Sequence, residues 1–195
     1  MFHHFAFFIS YPLIKLLYRV KIVGKENLPK EGPVIVAGNH SSYLDSIMAG
    51  FSVFPRSPTY LGKESLFRIP VFNLLIRALG AIPIARDKAD LKAIKRSLEV
   101  LKKGGMIIIF PEGTRHSEAV KKAFNGVSFL AYKSGAPIIP MAIVGTNKVM
   151  PEGARLPRLV KITVKIGKPL YFKGAGREDL GSLTKETMDR IIEML

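Results

Sequence analysis

The pattern of apolar and polar residues predicts strands and helices that alternate along the chain. Mainly apolar segments of strand length stand at residues 20–23, 34–37, 59–61, 81–85, 106–110, 138–144 and 160–166. Longer segments predict helices at residues 43–52, 71–79, 87–103, 124–133 and 185–195. Several runs are apolar throughout, as strands are when helices cover both faces of a sheet. We therefore predict an α/β fold, a layered mixed sheet flanked by helices.

The first 19 residues are rich in apolar and aromatic side chains. Residues 5–14 carry no charge, but Lys15 ends this run, and a membrane span needs about 20 apolar residues. A signal peptide is not expected, because no charged start and no small-residue cleavage pattern is present. We predict a membrane-interface helix at residues 1–19 and a single domain at 20–195; the alternative is a helix packed on its own domain. The interface model inserts Phe2, Phe5, Phe8, Leu13 and Leu16 and keeps Lys15 and Arg19 at headgroup level.

The charge of the chain narrows the classes of partner. The 195 residues include 30 Lys and Arg but only 15 Asp and Glu, which gives a net charge of +15. Such a balance favours anionic partners, which are nucleic acid, anionic lipid, or an acidic substrate or carrier. The chain has no Cys, which excludes a thiol nucleophile, a disulfide framework and a thiolate metal site.

A first candidate site is the run Asn-His-Ser-Ser-Tyr-Leu-Asp at residues 39–45, between a predicted strand and a predicted helix. Positions five apart on one helix point about 140° apart. His40 can therefore meet Asp45 only if it lies before a helix whose first turn holds Asp45. The sequence permits this, because Ser42 can be the N-cap of that helix. This arrangement gives a base oriented by a carboxylate. The alternative is structural, because Ser42 and Asp45 also fit a capping box.

A second candidate site is the run Phe-Pro-Glu-Gly-Thr-Arg at residues 110–115, which follows an apolar strand. The planar guanidinium of Arg115 suits a phosphate group. Glu112 and Arg115 could instead form a surface pair that contributes little to stability. Lys63 and Arg68 are further phosphate candidates, and their alternative is a solvated basic face.

Other catalytic motifs are missing from the sequence. It contains no Gly-x-Ser-x-Gly elbow, no P-loop, no Gly-x-Gly-x-x-Gly and no His-Glu-x-x-His. His3 and His4 belong to the apolar N-terminal segment, so histidine base chemistry would use His40 or His116.

Four blocks in fixed order are far more specific than any one of them. They are Asn-His-x4-Asp at 39–45, Gly-Lys-Glu at 62–64 with a downstream Phe and Pro, Phe-Pro-Glu-Gly-Thr-Arg at 110–115, and Ala-Pro-Ile-Ile-Pro at 136–140. Together they closely resemble the bacterial glycerolipid acyltransferase family, that of the 1-acyl-sn-glycerol-3-phosphate (lysophosphatidic acid) acyltransferases. The resemblance covers roughly residues 20–170, which makes 20–195 an acyltransferase domain. After Arg115 the chain departs from the family pattern, with Ala-Phe-Asn-Gly at 123–126 where many relatives have Phe-Lys-x-Gly.

The resemblance implies a role for each matching residue. His40 is expected to be the general base of the HX4D motif and Asp45 its orienting partner. Glu112, Gly113, Thr114 and Arg115 are expected to form the acceptor-binding loop, with Arg115 on the phosphate. Lys63 and Arg68 fall in the block associated with acceptor binding or with stabilising the oxyanion. No metal and no resident cofactor is implied, because acyl-CoA or acyl carrier protein is a co-substrate.

The expected reaction is acyl transfer to the sn-2 hydroxyl of 1-acylglycerol 3-phosphate, giving phosphatidic acid in phospholipid biosynthesis. The expected partners are an anionic phospholipid membrane surface, lysophosphatidic acid and the acyl donor, and not nucleic acid. The expected location is the cytoplasmic face of the cell membrane, monotopic or peripheral. The alternatives are a related acyltransferase acting on glycerol 3-phosphate or another lysolipid, a basic nucleic-acid-binding module, and a membrane-binding protein without catalysis.

Overall fold

The described strands form one mixed sheet that lies between two layers of helices. The computed structural model describes residues 11–78, 80–85, 90–111, 117–151, 153–154, 156–173, 176 and 179–195. Its strands are β1 (Lys21–Val23), β2 (Val34–Gly38), β3 (Pro58–Lys63), β4 (Ile82–Ile84), β5 (Met106–Ile109), β6 (Ile138–Val144) and β7 (Thr163–Ile166). Its helices are α1 (residues 11–17), α2 (Leu44–Val53), α3 (Pro70–Ala78), α4 (Leu91–Lys102), α5 (Ser117–Ser134) and α6 (Leu180–Met194). Short 3₁₀ turns lie at Lys25–Asn27, Glu64–Arg68 and Thr146–Lys148.

The order and direction of the strands bring the carboxyl ends of several strands to one edge of the sheet. The order is β1-β7-β6-β2-β5-β3-β4, and every neighbouring pair is parallel except β6 with β7. The carboxyl ends of β2, β3, β5 and β6 therefore share an edge, called here the carboxyl edge. Ligands of open α/β sheets bind at such an edge.

The two faces of the sheet carry separate apolar cores. On one face, alternate residues such as Val36 and Ile108 pack with Met48 and Phe51 of α2. On the other face, their neighbours Ile35 and Ile107 pack with helices α4, α5 and α6. Strands β2 and β5 are thus buried on both sides, which explains their unbroken apolar runs. The predicted α/β class, a mixed sheet flanked by helices, is confirmed.

Element boundaries were less predictable than the elements. Strand β6 matches its prediction at both ends, and β4 lies at the sheet edge that Pro83 favours. Helix α4 begins at Leu91 and not at residue 87, because the Asp90 side chain caps it by accepting from the Ala93 N–H. Helix α6 begins at Leu180 and not at 185, because burial of Leu180 and Leu183 outweighs the weak helix propensity of the glycine and serine between them.

Helix α1 has one packed face and one exposed face. Tyr11, Ile14 and Tyr18, spaced three and four apart, contact the core on the α2 side of the sheet. Leu13 and Leu16 point outward, with 58% and 77% of their surface exposed. No described helix is long and apolar enough to cross a membrane. Phe2, Phe5 and Phe8 lie outside the described residues, and the interface model and the boundary at residue 19 stay predictions.

Candidate active site

The end of β2 is held firmly at the carboxyl edge by an asparagine. The buried Asn39 amide accepts from the Ile143 N–H at 2.7 Å and donates to the Ile143 carbonyl at 3.0 Å. These two hydrogen bonds to β6 replace the backbone hydrogen bonds of the sheet at the point where β2 ends. The next residue, His40, is thereby placed at the exit of a rigid strand.

His40 and Asp45 lie together, as the spacing predicted. The His40 Nδ1 is 3.3 Å from Asp45 Oδ2, the carboxylate is fully buried, and the His40 side chain is 27% exposed. The same Oδ2 accepts from the backbone N–H groups of Ser41 at 2.6 Å and Ser42 at 2.7 Å. Asp45 therefore binds the backbone before α2 and faces the imidazole at the same time, but Ser42 is not the N-cap that the capping box requires, because the Asp45 N–H donates to the Ser42 carbonyl and not to its hydroxyl. Helix α2 begins at Leu44, one residue later than predicted, with Tyr43 as its N-cap.

Thr146 is a third member of the site that sequence analysis missed. It is 1% exposed, and its Oγ1 donates to Asp45 Oδ1. Both carboxylate oxygens of Asp45 are therefore hydrogen-bonded, which a buried carboxylate requires. A usable signal existed in the sequence, because Gly145-Thr146 directly follows a predicted strand, where the carboxyl ends of parallel strands converge.

The first turn of α2 is also tied to β3. The Tyr60 hydroxyl donates to the Ser46 carbonyl at 3.0 Å. Burial raises the pKa of the Tyr60 phenol, so it remains a protonated donor at every physiological pH. This contact fixes the residue after Asp45 and so limits the orientations open to the carboxylate.

The second predicted motif begins beside the imidazole. The Phe110 ring stacks on the His40 ring with centroids 4.5 Å apart and planes at 24°. This follows from the pairing of β2 with β5, where Ala37 is opposite Ile109. Pro111 is buried. The remaining members, Glu112, Gly113, Thr114 and Arg115, lie outside the described residues, as does His116.

Lys63 and Arg68 lie at the carboxyl edge but apart from His40. Lys63 is the exposed last residue of β3, which is separated from β2 by β5, about 10 Å at ordinary strand spacing. The Arg68 guanidinium is 78% exposed and lies 3.7 Å from Glu64. An exposed pair of this kind contributes little to stability. The structure does not bring these two cations into contact with the His40–Asp45 pair.

In the described part of the chain, no group of three or more His, Asp or Glu side chains could hold a metal ion. An oriented imidazole with a partly exposed ring is suited to moving a proton. Together with the sheet, it defines a class of protein, a mixed α/β protein with an imidazole facing a buried carboxylate at the carboxyl edge.

Comparison with known proteins identifies the family. The family model described as Acyltransferase matches residues 19–144. The chain belongs to this acyltransferase family.

The chain is similar to several acyltransferases, of which three are described here. It is 33% identical to the chloroplastic 1-acyl-sn-glycerol-3-phosphate acyltransferase BAT2 of Brassica napus over 100% of this chain, but it spans only 56% of that relative's length. It is 30% identical to the 1-acyl-sn-glycerol-3-phosphate acyltransferase of Bacillus subtilis over 93% of this chain and 91% of the relative. The crystal structure of the 1-acyl-sn-glycerophosphate (LPA) acyltransferase PlsC of Thermotoga maritima is similar with a TM-score of 0.67 and 27% identity, over 100% of this chain and 88% of that one.

Proposed function

We propose that the chain transfers an acyl group from a thioester to the sn-2 hydroxyl of 1-acylglycerol 3-phosphate and so makes phosphatidic acid. The observation that carries the proposal is the fully buried Asp45 carboxylate 3.3 Å from Nδ1 of a partly exposed His40. The names of the Bacillus subtilis and Thermotoga maritima relatives support the choice of acceptor.

The His40 imidazole would act as the general base. Its Nδ1 faces Asp45, so Nε2 is the nitrogen that takes the proton of the acceptor hydroxyl. The hydroxyl oxygen then forms a bond to the thioester carbonyl carbon, and the carbon–sulfur bond breaks. The thiolate leaves with the proton that His40 carries. Asp45 stabilises the imidazolium between these two transfers, and its backbone and Thr146 hydrogen bonds keep it in place.

Arg115 would bind the acceptor phosphate, with Glu112, Gly113 and Thr114 shaping its loop. This assignment rests on the family motif. It is supported by the stack of Phe110 on His40, because the loop leaves β5 right beside the proposed base. Lys63 and Arg68 are the second candidates, since they are exposed cations at the same edge.

The acyl donor would be acyl-CoA or acyl carrier protein, and no further cofactor is needed for the transfer. Both donors and the acceptor are anionic, which agrees with a net charge of +15. We place the enzyme at the cytoplasmic face of the cell membrane, as a monotopic or peripheral protein. A polybasic surface gains about 1 kcal/mol per Lys or Arg near an anionic membrane.

The test is an acyl-transfer assay in detergent micelles, with both donors and with lysophosphatidate, glycerol 3-phosphate and other lysolipids as acceptors. His40→Ala and Asp45→Asn should each lower turnover by roughly 10²–10⁴-fold, and the double variant should be little worse than the more severe single one. His116→Ala is the matched comparison, because it removes the other candidate base. Folding is monitored by circular dichroism. Near-normal turnover in both single variants would reject the catalytic assignment of His40 and Asp45. Faster transfer to another acceptor would show that lysophosphatidate is not the preferred substrate.

A further inference from the structure

Helix α4 crosses the sheet from the carboxyl edge to the opposite edge. Strand β4 is parallel to β3, so its last residue, Ile84, lies at the carboxyl edge. Asp90, which caps α4, accepts a hydrogen bond from the Ala85 N–H at 3.0 Å, and the helix therefore begins at that edge. It ends shortly before Met106, the first residue of β5, at the other edge. The first turns of α4 are thus on the same side of the sheet as the proposed active site.

The outer face of α4 is strongly basic. Its inner face packs on the sheet through residues spaced three and four apart, such as Ile94, Leu98 and Leu101. The exposed positions of the helix and its C-cap carry five cations and one carboxylate, and they are Leu91, Lys92, Lys95, Arg96, Glu99, Lys102 and Lys103. The ion pairs among the described residues involve none of these side chains.

The cations of the first two turns oppose the helix that carries them. Lys92 is three residues from Lys95 and four from Arg96, so like charges are neighbours on one face. Lys92 also lies in the first turn, where a helix favours acidic side chains, and the first turn of α4 has none. A surface suited only to stability and solubility would mix both signs at these positions. The unbalanced charge indicates an anionic partner.

The shape of this surface favours an acidic protein as that partner. A helix of 12 residues is about 18 Å long, and the cations of α4 are spread along its convex side. Small ligands such as a nucleotide are bound in clefts by convergent groups. A bilayer takes up several apolar side chains from an amphipathic helix, whereas the large apolar side chain that α4 exposes is Leu91, at 75%. One exposed apolar residue with cations around it suits a protein contact, with an apolar centre and a charged rim.

We propose that the α4 basic face, defined as Leu91, Lys92, Lys95 and Arg96, docks the acidic surface of acyl carrier protein. The inference deepens the proposed function and rests on it, because it selects the carrier protein as an acyl donor. Strand β4 is about 14 Å from β2, which ends before His40, at ordinary strand spacing. A carrier protein bound at α4 delivers its thioester across this distance on its flexible prosthetic arm.

The first measurement is binding without turnover. Full-length protein in detergent micelles is titrated by calorimetry with holo acyl carrier protein, whose arm carries no acyl group. Lys95→Glu combined with Arg96→Glu should weaken binding about tenfold or more, because two attractive charge contacts become repulsive. The matched control is Lys168→Glu combined with Lys173→Glu, which changes the net charge equally at exposed residues near the start of β6, at the opposite edge. The control should keep its affinity within about twofold.

Kinetics with two donors separate the carrier protein from the thioester that it bears. In the α4 double variant the KM for acyl carrier protein should rise about tenfold. The KM for acyl-CoA with the same acyl chain should stay within about twofold, because acyl-CoA lacks the acidic protein surface. Added salt should raise the KM of the wild type for acyl carrier protein, since exposed charges are screened.

The proposal is overturned if the wild type does not bind the carrier protein, or if both double variants lose equal affinity, because net charge alone would then explain binding. Equal rises in the KM values of both donors also overturn it, since α4 would then act on a part that the donors share. If the α4 variant loses affinity for anionic vesicles but not for the carrier protein, the cations serve a bilayer instead. Carrier binding that depends on α4 without any acyl transfer would refute only the proposed reaction and would leave the docking surface in place.

Discussion

Thr146 donates a hydrogen bond to Asp45 across a sequence separation of 101 residues. The pair joins the end of β6 to the first turn of α2, on either side of His40. Since Oδ2 of Asp45 faces the imidazole and Oδ1 takes the Thr146 hydroxyl, the threonine fixes which oxygen the histidine meets. Thr146 is thus a positioning residue for the proposed base.

Thr146→Val should lower kcat about tenfold to a hundredfold and leave both KM values nearly unchanged. The substitution keeps the shape but leaves Asp45 Oδ1 without its donor, so the carboxylate can turn away from the imidazole, and small misplacements are costly in catalysis. Thr146→Ser keeps the hydroxyl and should restore most of kcat. Steady-state kinetics measure kcat and both KM values, and thermal unfolding checks that each variant is folded. A loss in the Ser variant without a loss in the Val variant would show that the methyl group, and not the hydrogen bond, is what matters.

Arg115→Lys should raise the acceptor KM about tenfold while kcat and the donor KM change much less. Lysine keeps the charge but not the planar fork that binds two phosphate oxygens. The comparison is Arg68→Lys, which alters an exposed arginine beside Glu64. If Arg68→Lys raises the acceptor KM and Arg115→Lys does not, the phosphate is bound at the end of β3.

Sequence analysis predicted the core of the sheet because its strands are buried on both faces. Strands β2, β5 and β6 are continuous apolar runs in the sequence for that reason. It also predicted the His40–Asp45 pair, because helical geometry allows a five-residue spacing to close only across a helix start.

The rest depends on relationships that no local pattern contains. Thr146 reaches Asp45, and Phe110 stacks on His40, because their strands are neighbours in the sheet. The order of strands is a property of the folded sheet and not of any local sequence pattern. The start of α6 was missed because its first turn is stabilised by burial against α5 and the sheet, not by helix propensity.

Asp90→Ala should lower the free energy of unfolding by about 1 kcal/mol at pH 7, and the difference should shrink in acid. The N–H groups of Ala85 and Ala93 bond to the Asp90 carboxylate and hold its pKa below the ordinary value of 3.8. A lowered pKa in the folded state means stability that is present above pH 3.8 and is lost as pH falls through the folded pKa. Urea unfolding at pH 7 and near pH 3 measures this. Asp189→Ala, on an exposed part of α6, is the control, and a pH-independent difference at Asp90 would contradict the capping role.

Gly50→Ala should destabilise the protein, although alanine in a helix is usually better than glycine by roughly 0.5–1 kcal/mol. The reason is that a Cβ at Gly50 would lie 2.4 Å from the Tyr60 hydroxyl oxygen and 3.7 Å from the ring carbon that bears it. Only the first contact is a clash, and overpacking of this kind costs about 1–3 kcal/mol.

The double variant Gly50→Ala with Tyr60→Phe therefore separates the clash from other effects. Removing the hydroxyl alone should cost about 1 kcal/mol, since the Ser46 carbonyl loses its donor. With the hydroxyl gone, the new methyl group meets only an ordinary contact, so the two changes should couple favourably by about 1–3 kcal/mol. Gly181→Ala in α6, where nothing lies within 4 Å of the added Cβ, is the control and should be stabilising. Chemical unfolding of the wild type, the two single variants and the double variant closes the cycle. If the changes in unfolding free energy of the two single variants are strictly additive, α2 shifts away from β3 at no cost. The Tyr60–Ser46 contact would then not be what holds α2, and with it Asp45, in place.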